Sequence, residues 1–276
     1  MLKKIMKIAV LILLVIMVFL SSSLYMGKFS PYFDTNSFSI YIPISIINTI
    51  LSFLLLLLVI NGQLPKPLLR AGVLLFMMGA VMASIAGLVA PPDFTPSVLK
   101  HPEREHYRYA LLFLNALLFG GAFIFLRQAE FGKWNKWLFL LFVPALGEML
   151  WEFYHHYYYA ENMRIWISRG NEGDKFMDHY SGGAALKAGA IGRFFQYSCI
   201  ALLAFVLQQF SHIRKWTMIV LLLLCVMGIG AATNIFFNGF NFPKQFQIFM
   251  LFFIPGMPFL LLYWVGLALL TRQSWK

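Results

Sequence analysis

Residues 40–60, from Ile40 to Ile60, read IYIPISIINTILSFLLLLLVI and hold no charged side chain. At 1.5 Å of rise per residue, about 20 helical residues cross a ~30 Å hydrocarbon core. Lipid cannot hydrogen-bond to a bare backbone, so such a segment crosses as a helix, which satisfies its own N–H and C=O groups. Seven further stretches are long and apolar with almost no charge, at about 5–20, 68–89, 109–126, 137–158, 191–210, 216–237 and 246–270. The sequence therefore predicts an all-α, polytopic helical membrane protein. It would have about eight transmembrane helices in one integral membrane domain covering residues 1–276.

Composition agrees. Of 276 residues, 60% are hydrophobic and only 12% charged, and mean hydropathy is +0.73. Such a chain cannot cover a soluble surface with solvated groups. The net charge of +11 does not indicate nucleic acid, because it is spread by topology rather than gathered in a patch. Lys3, Lys4, Lys7, Lys66, Arg70, Arg127, Lys133, Lys136, Arg214, Lys215, Arg272 and Lys276 fall at one set of span ends, with Glu130 the single acid among them. The other ends carry ten basic and ten acidic residues. Basic residues mark the cytoplasmic side, so both termini are expected in the cytoplasm, and a bacterial inner membrane is the expected location. Trp134, Trp137, Trp216 and Trp275 would line the cytoplasmic boundary, and Tyr154, Tyr157, Tyr158 and Tyr159 the outer one. The basic, apolar start ending in Ser21-Ser22-Ser23 is similar to a signal peptide; an uncleaved anchor is expected.

Punctuation within the spans carries further expectations. Asn61-Gly62 with Pro65 and Pro67 makes a tight connector, and Gly182-Gly183 a turn. Ala184 to Ala190 is expected as an interfacial or re-entrant helix. Pro255 and Pro258 should kink or unwind the last span, freeing carbonyls. Gly79, Ala83 and Gly87 recur every fourth residue, and Gly228, Gly230, Ala231 and Ala232 form a second small-residue face. Such faces let helices approach closely, and a membrane-protein partner is one occupant they would suit. Cys199 and Cys225 lie inside spans and read as small buried residues.

The chemistry concentrates on span 5. At 100° per residue Glu148, Glu152, His155, His156 and Tyr159 share an arc of about 100°, and Asn162 extends it if the helix continues. Counted from Trp137, Glu148 lies ~17 Å and Glu152 ~22 Å into the bilayer. An ionised carboxylate there costs at least ~2.5–3.5 kcal/mol unless paired, protonated or wet. Three readings follow. In the first, Glu152-x-x-His155 presents two ligands to a divalent transition metal, zinc or iron. His106 and His179 would add ligands from the outer loops at 90–108 and 159–190, which form a polar cap that also holds His101, Glu103, Glu105, Asp174 and Asp178. With Glu148 as proton acceptor, this describes a metal-assisted membrane enzyme acting on a lipid or lipophilic substrate. In the second, Glu148 and Glu152 share a proton with His155 or His156 as relay, in a proton-coupled transporter lined by Asn115, Gln196 and Asn234. In the third, Arg193, Arg164 or Lys187 neutralises the acids, the rings form an interfacial girdle, and the chain is a non-catalytic subunit of a larger membrane complex.

Other chemistries lack their residues. Asp178-His179-Tyr180-Ser181 is contiguous, whereas nucleophile triads are assembled in space. No phosphate-binding glycine loop, His-Glu-x-x-His helix or Gly-x-Ser-x-Gly elbow occurs. No histidine sits deep enough in a span to ligate haem.

Overall fold

The computed structural model describes residues 2–33, 38–60 and 64–272. The expected turn at Asn61-Gly62, and Trp275 and Lys276, lie outside the described residues, as do the side chains of Lys3 and Lys4. Among the described residues all regular structure is helical: α1 (Leu2–Leu24), α2 (Phe38–Leu57), α3 (Lys66–Ala86), α4 (Pro102–Arg127), α5 (Trp134–Tyr157), α6 (Tyr159–Ser168), α7 (Phe176–Ser181), α8 (Ala184–Gln209), α9 (Lys215–Asn238), a 3-10 segment (Lys244–Phe253) and α10 (Gly256–Thr271). Seven helices are long and apolar enough to cross a membrane, as in a multi-pass membrane protein. The expected eighth span is instead a broken pair, with the 3-10 segment bent 72° from α10. Pro255 explains the break. It has no N–H to continue either helical ladder, and its ring opposes a straight path.

The bundle is turned inside out relative to a soluble one. On α2, Ser45, Asn48 and Ser52 are buried, whereas Ile46, Ile47, Leu51 and Leu54 are exposed. An isoleucine and leucine surface of this kind suits a lipid environment, and the hydroxyls pair inside, Ser45 with the Tyr41 carbonyl at 3.0 Å and Ser52 with that of Asn48 at 2.6 Å. α10 is apolar on all sides and is buried over nearly its whole length between α3 and α8. Its Tyr263 hydroxyl and Trp264 indole donate to the Leu14 and Val15 carbonyls of α1, at 2.5 and 3.2 Å. The sequential neighbours α3–α4, α4–α5, α5–α8 and α8–α9 complete the packing.

Small residues set the closest approaches, and the chain itself fills them. A Cβ on Gly79 would stand 2.2 Å from the Tyr263 ring, and one on Gly228 2.5 Å from the Tyr197 ring. Gly87 faces the Tyr41 hydroxyl and Met26. The stripes expected to suit a membrane-protein partner are thus occupied by aromatic side chains of α10, α8 and α2. Cys199 and Cys225 are buried thiols.

Helix boundaries differ from the sequence expectation mainly at the outer end. α8 starts at Ala184, so Ala184 to Ala190 is its first two turns and not a separate re-entrant helix. Nothing between Ala184 and Arg193 breaks a helix, and Gly183, with φ +57°, makes the turn before it. α4 starts at Pro102 and carries Glu103, Glu105 and His106 on its first turns, so these are helical residues rather than loop ones. α5 stops at Tyr157, and Tyr158 (φ −91°, ψ 13°) breaks the stripe, so Tyr159 and Asn162 belong to α6. The segments around 90–108 and 159–190 do meet. Tyr159, Met163 and Phe176 bury against Val98 and Phe94, and the Tyr159 hydroxyl donates to the Phe94 carbonyl at 2.8 Å.

Candidate functional site

Glu148 and Glu152 stand one turn apart on α5 and face α8. Two α8 features receive them. At Gly192 an added Cβ would stand 2.1 Å from Glu148 Cγ, so only glycine leaves room for that side chain. One residue on, Arg193 is 1% exposed and lies between the two acids. Its Nη2 donates to Glu152 Oε1 at 2.9 Å and Oε2 at 2.6 Å. Its Nη1 donates to Glu148 Oε2 at 3.3 Å and Gln196 Oε1 at 3.0 Å. Gln196, one turn further along α8, donates from Nε2 to Glu148 Oε2. The guanidinium suits this task, since Nη2 reaches both oxygens of one carboxylate while Nη1 and Nε remain as donors for other acceptors. Of the three cations expected as partners, Arg164 and Lys187 are exposed, and Arg193 alone pairs with the acids.

The broken helix completes the site. Arg193 Nε donates to the Phe253 carbonyl at 3.2 Å, and Tyr197 donates to the Phe252 carbonyl. In a 3-10 ladder the Phe252 carbonyl would accept from residue 255, which is proline. Pro255 therefore orphans that carbonyl, and α8 supplies the missing donor. The expected freeing of carbonyls by the proline is met, and the freed groups face the charged cluster.

Three buried polar groups near this level make no hydrogen bond within the protein: Glu148 Oε1, His156 Nδ1 and both amide atoms of Asn115. Glu148 Oε1 lies 3.9 Å from where a Gly189 Cβ would be. On α4, Tyr109 stacks on His156 at 5.2 Å, and Gly120 faces Leu146. That antiparallel register sets Asn115 at about the depth of Leu150, between the levels of the two acids. Asn234 is elsewhere, donating to the Gly239 and Asn241 carbonyls at the end of α9.

The histidines are held singly. His155 Nε2 is 3.3 Å from the Tyr180 carbonyl, and its ring stacks on Tyr180 at 4.0 Å. His106 pairs with Glu161 at 3.0 Å and stacks on Tyr157 at 4.7 Å. His179 stacks on Trp166 at 4.4 Å. Among the described residues no group of three or more His, Cys, Asp or Glu side chains is placed to hold one metal ion. The expected set Glu152, His155, His106 and His179 is therefore not brought together, and both Glu152 oxygens accept from Arg193.

A second buried pair lies on the first turns of α4. Arg108 Nε is 3.1 Å from Glu105 Oε2, and its Nη2 donates to the Tyr32 hydroxyl and the Ala90 carbonyl, each at 2.8 Å. Glu105 also receives the Tyr32 hydroxyl and the Asp93 N–H at 3.2 Å. This pair ties the turn after α3 and the one after α1 to α4. The i, i+3 spacing of Glu105 and Arg108 was its one sequence signal. At Asp93 burial would raise the carboxyl, but hydrogen bonds from Ser97 and Thr95 outweigh it and hold the group below its ordinary value.

No protein-family model, no curated protein and no solved structure matches the chain.

Proposed function

We propose that the chain is a proton-coupled membrane transporter, with both termini at the cytoplasmic side and Glu148 as its proton-carrying group. The observation behind this is one guanidinium set between two carboxylates, with Glu148 Oε1 buried and accepting no hydrogen bond. A single positive charge balances only one of the two acids, so the buried cluster is neutral when it holds one proton. Glu152, gripped through both oxygens, keeps the charge facing Arg193. Glu148, held more loosely at 3.3 Å, is the acid free to gain and lose the proton. His156, buried with Nδ1 unused, is the relay toward the outer end. Discontinuous helices with exposed backbone carbonyls recur at transporter binding sites, and here the break at Pro255 touches the same arginine. The metal-enzyme reading, with Glu152 and His155 as first ligands, draws less support because Arg193 and Tyr180 already engage them.

A second reading has its own observation. The saturated Arg193–Glu152 contact also suits a plain clamp joining α5, α8 and the broken helix. Infrared titration of the reconstituted protein separates the two. The transporter reading expects a protonated-carboxyl band that titrates, is lost in Glu148→Gln, and accompanies pH-gradient-driven flux that the same variant abolishes. A wild-type protein without the band, or flux unchanged by Glu148→Gln, removes the transporter reading and leaves the clamp.

A further inference from the structure

The segment Lys244–Phe253 has the marks of a moving part. It is a 3-10 helix of ten residues, whereas 3-10 runs beyond ~3–4 residues are uncommon because the tighter ladder bonds poorly. Of its residues only Phe252 is buried. Both ends are backbone breaks. Gly239, at φ +61°, follows α9, and Asn234 holds the turn beyond it through the Gly239 and Asn241 carbonyls at 3.4 and 3.1 Å. At the other end Ile254 is extended, with ψ 129°, and Pro255 cannot carry a ladder bond across the 72° bend into α10. The inner end rests on the carboxylate cluster through few contacts. The Phe253 carbonyl accepts from Arg193 Nε at 3.2 Å, the Arg193 guanidinium lies over the Phe253 ring, 5.7 Å from its centre, and the Phe252 carbonyl accepts from Tyr197. Gly189 marks what the ring covers. A Cβ built there would meet Phe253 Cζ at 3.7 Å and Glu148 Oε1 at 3.9 Å. The ring and the carboxyl oxygen thus flank one point, and that oxygen is the one that accepts no hydrogen bond within the protein.

We propose that Lys244–Phe253 is the gate of the cluster and the Phe253 ring its plug. A swing about Ile254 and Pro255 lifts the ring from Gly189 and admits water to Glu148 Oε1. The inference rests on the transporter reading for what the gate serves. A carboxyl group that gains and loses a proton needs a donor or acceptor within hydrogen-bond reach, directly or through one water. Glu148 Oε1 has none while the ring is down. Arg193 links the two parts. Its Nη atoms hold the acids and its Nε holds the last carbonyl of the gate, so the closed position and the charge of the cluster share one side chain.

The test is the rate at which a small water-soluble methanethiosulfonate modifies the thiol introduced by Gly189→Cys, read by mass spectrometry on the full chain in mild detergent. Position 189 takes a Cβ in ordinary contact, and the chain without the change, whose Cys199 and Cys225 are buried, supplies the background rate. The introduced thiol should react at least tenfold faster than that background. Phe253→Ala removes the plug and should raise the rate at least tenfold further. Pro255→Ala returns an N–H to the ladder, stiffens the hinge and should lower the rate at least threefold; each variant is first checked as a folded monomer by size-exclusion chromatography. A thiol no more reactive than background, or a rate left unchanged by either Phe253→Ala or Pro255→Ala, would overturn the gate. The thiol reports opening without any transport. Opening that follows this pattern beside flux unaffected by Glu148→Gln therefore supports the gate and removes the transporter reading alone.

Discussion

Replacing Arg193 by methionine tests the central claim that one guanidinium balances the charge of a buried acid pair that holds one proton. The change keeps most of the side-chain length but removes five donor contacts, to both oxygens of Glu152 at 2.9 and 2.6 Å, to Glu148 at 3.3 Å, to Gln196 at 3.0 Å and to the Phe253 carbonyl at 3.2 Å. What remains is a pair of carboxylates that are 9% and 12% exposed, facing each other with only Gln196 as donor. Breaking a buried ion pair by removing one partner costs ~3–5 kcal/mol, because a charge is left desolvated and unpaired. Here the one cation bonds both carboxyl groups, so the upper end, ~5 kcal/mol, is expected. That is a large part of the ~5–15 kcal/mol that holds a typical fold. Removing the acids as well should restore most of the loss, since neutral groups of similar volume replace buried ion pairs at little cost. The assay is reversible denaturation in mild detergent, followed by tryptophan fluorescence, on Arg193→Met and on the triple variant Glu148→Gln, Glu152→Met, Arg193→Met. An Arg193→Met protein within ~1 kcal/mol of wild type, or a triple variant no more stable than the single one, refutes the reasoning.

Three further outcomes follow from the same packing. Gly192→Ala places a methyl 2.1 Å from Glu148 Cγ and should cost ~1–3 kcal/mol of overpacking; the same denaturation assay reads it, and Glu148→Ala in the same chain should relieve it. Gly79→Leu drives a side chain into the Tyr263 ring, so it should lower the yield of folded monomer in size-exclusion chromatography rather than release a partner subunit from an intact chain. The lowered Asp93 carboxyl contributes stability to the turn after α3 that is present above its unfolded pKa and lost as pH falls through the folded one. Hydrogen-exchange protection across residues 90–99, corrected for the intrinsic rate at each pH, should fall on acidification, and Asp93→Asn should remove that loss.

Much of the architecture was legible from residue order. A chain with uncharged runs such as 40–60 can satisfy its backbone in lipid only as helices, so the class and nearly all spans follow locally. The bend at Pro255 follows from one missing N–H. The helical period brought Glu148 and Glu152 onto one face and named Arg193 among three cations. Periodicity could not choose between those cations, because the choice depends on how α8 rotates against α5. That rotation is set by Gly192, where any larger side chain meets Glu148. Nor could it separate a small-residue face that binds a partner from one filled by Tyr263 or Tyr197, since both have the same spacing. The expected metal set joined residues by side of the membrane alone, and the fold holds each histidine against a different aromatic ring. Helix formation and the apolar character of each segment depend on that segment's own residues, and so sequence determined them; contacts between segments depend on register and rotation, and these only the tertiary structure decided.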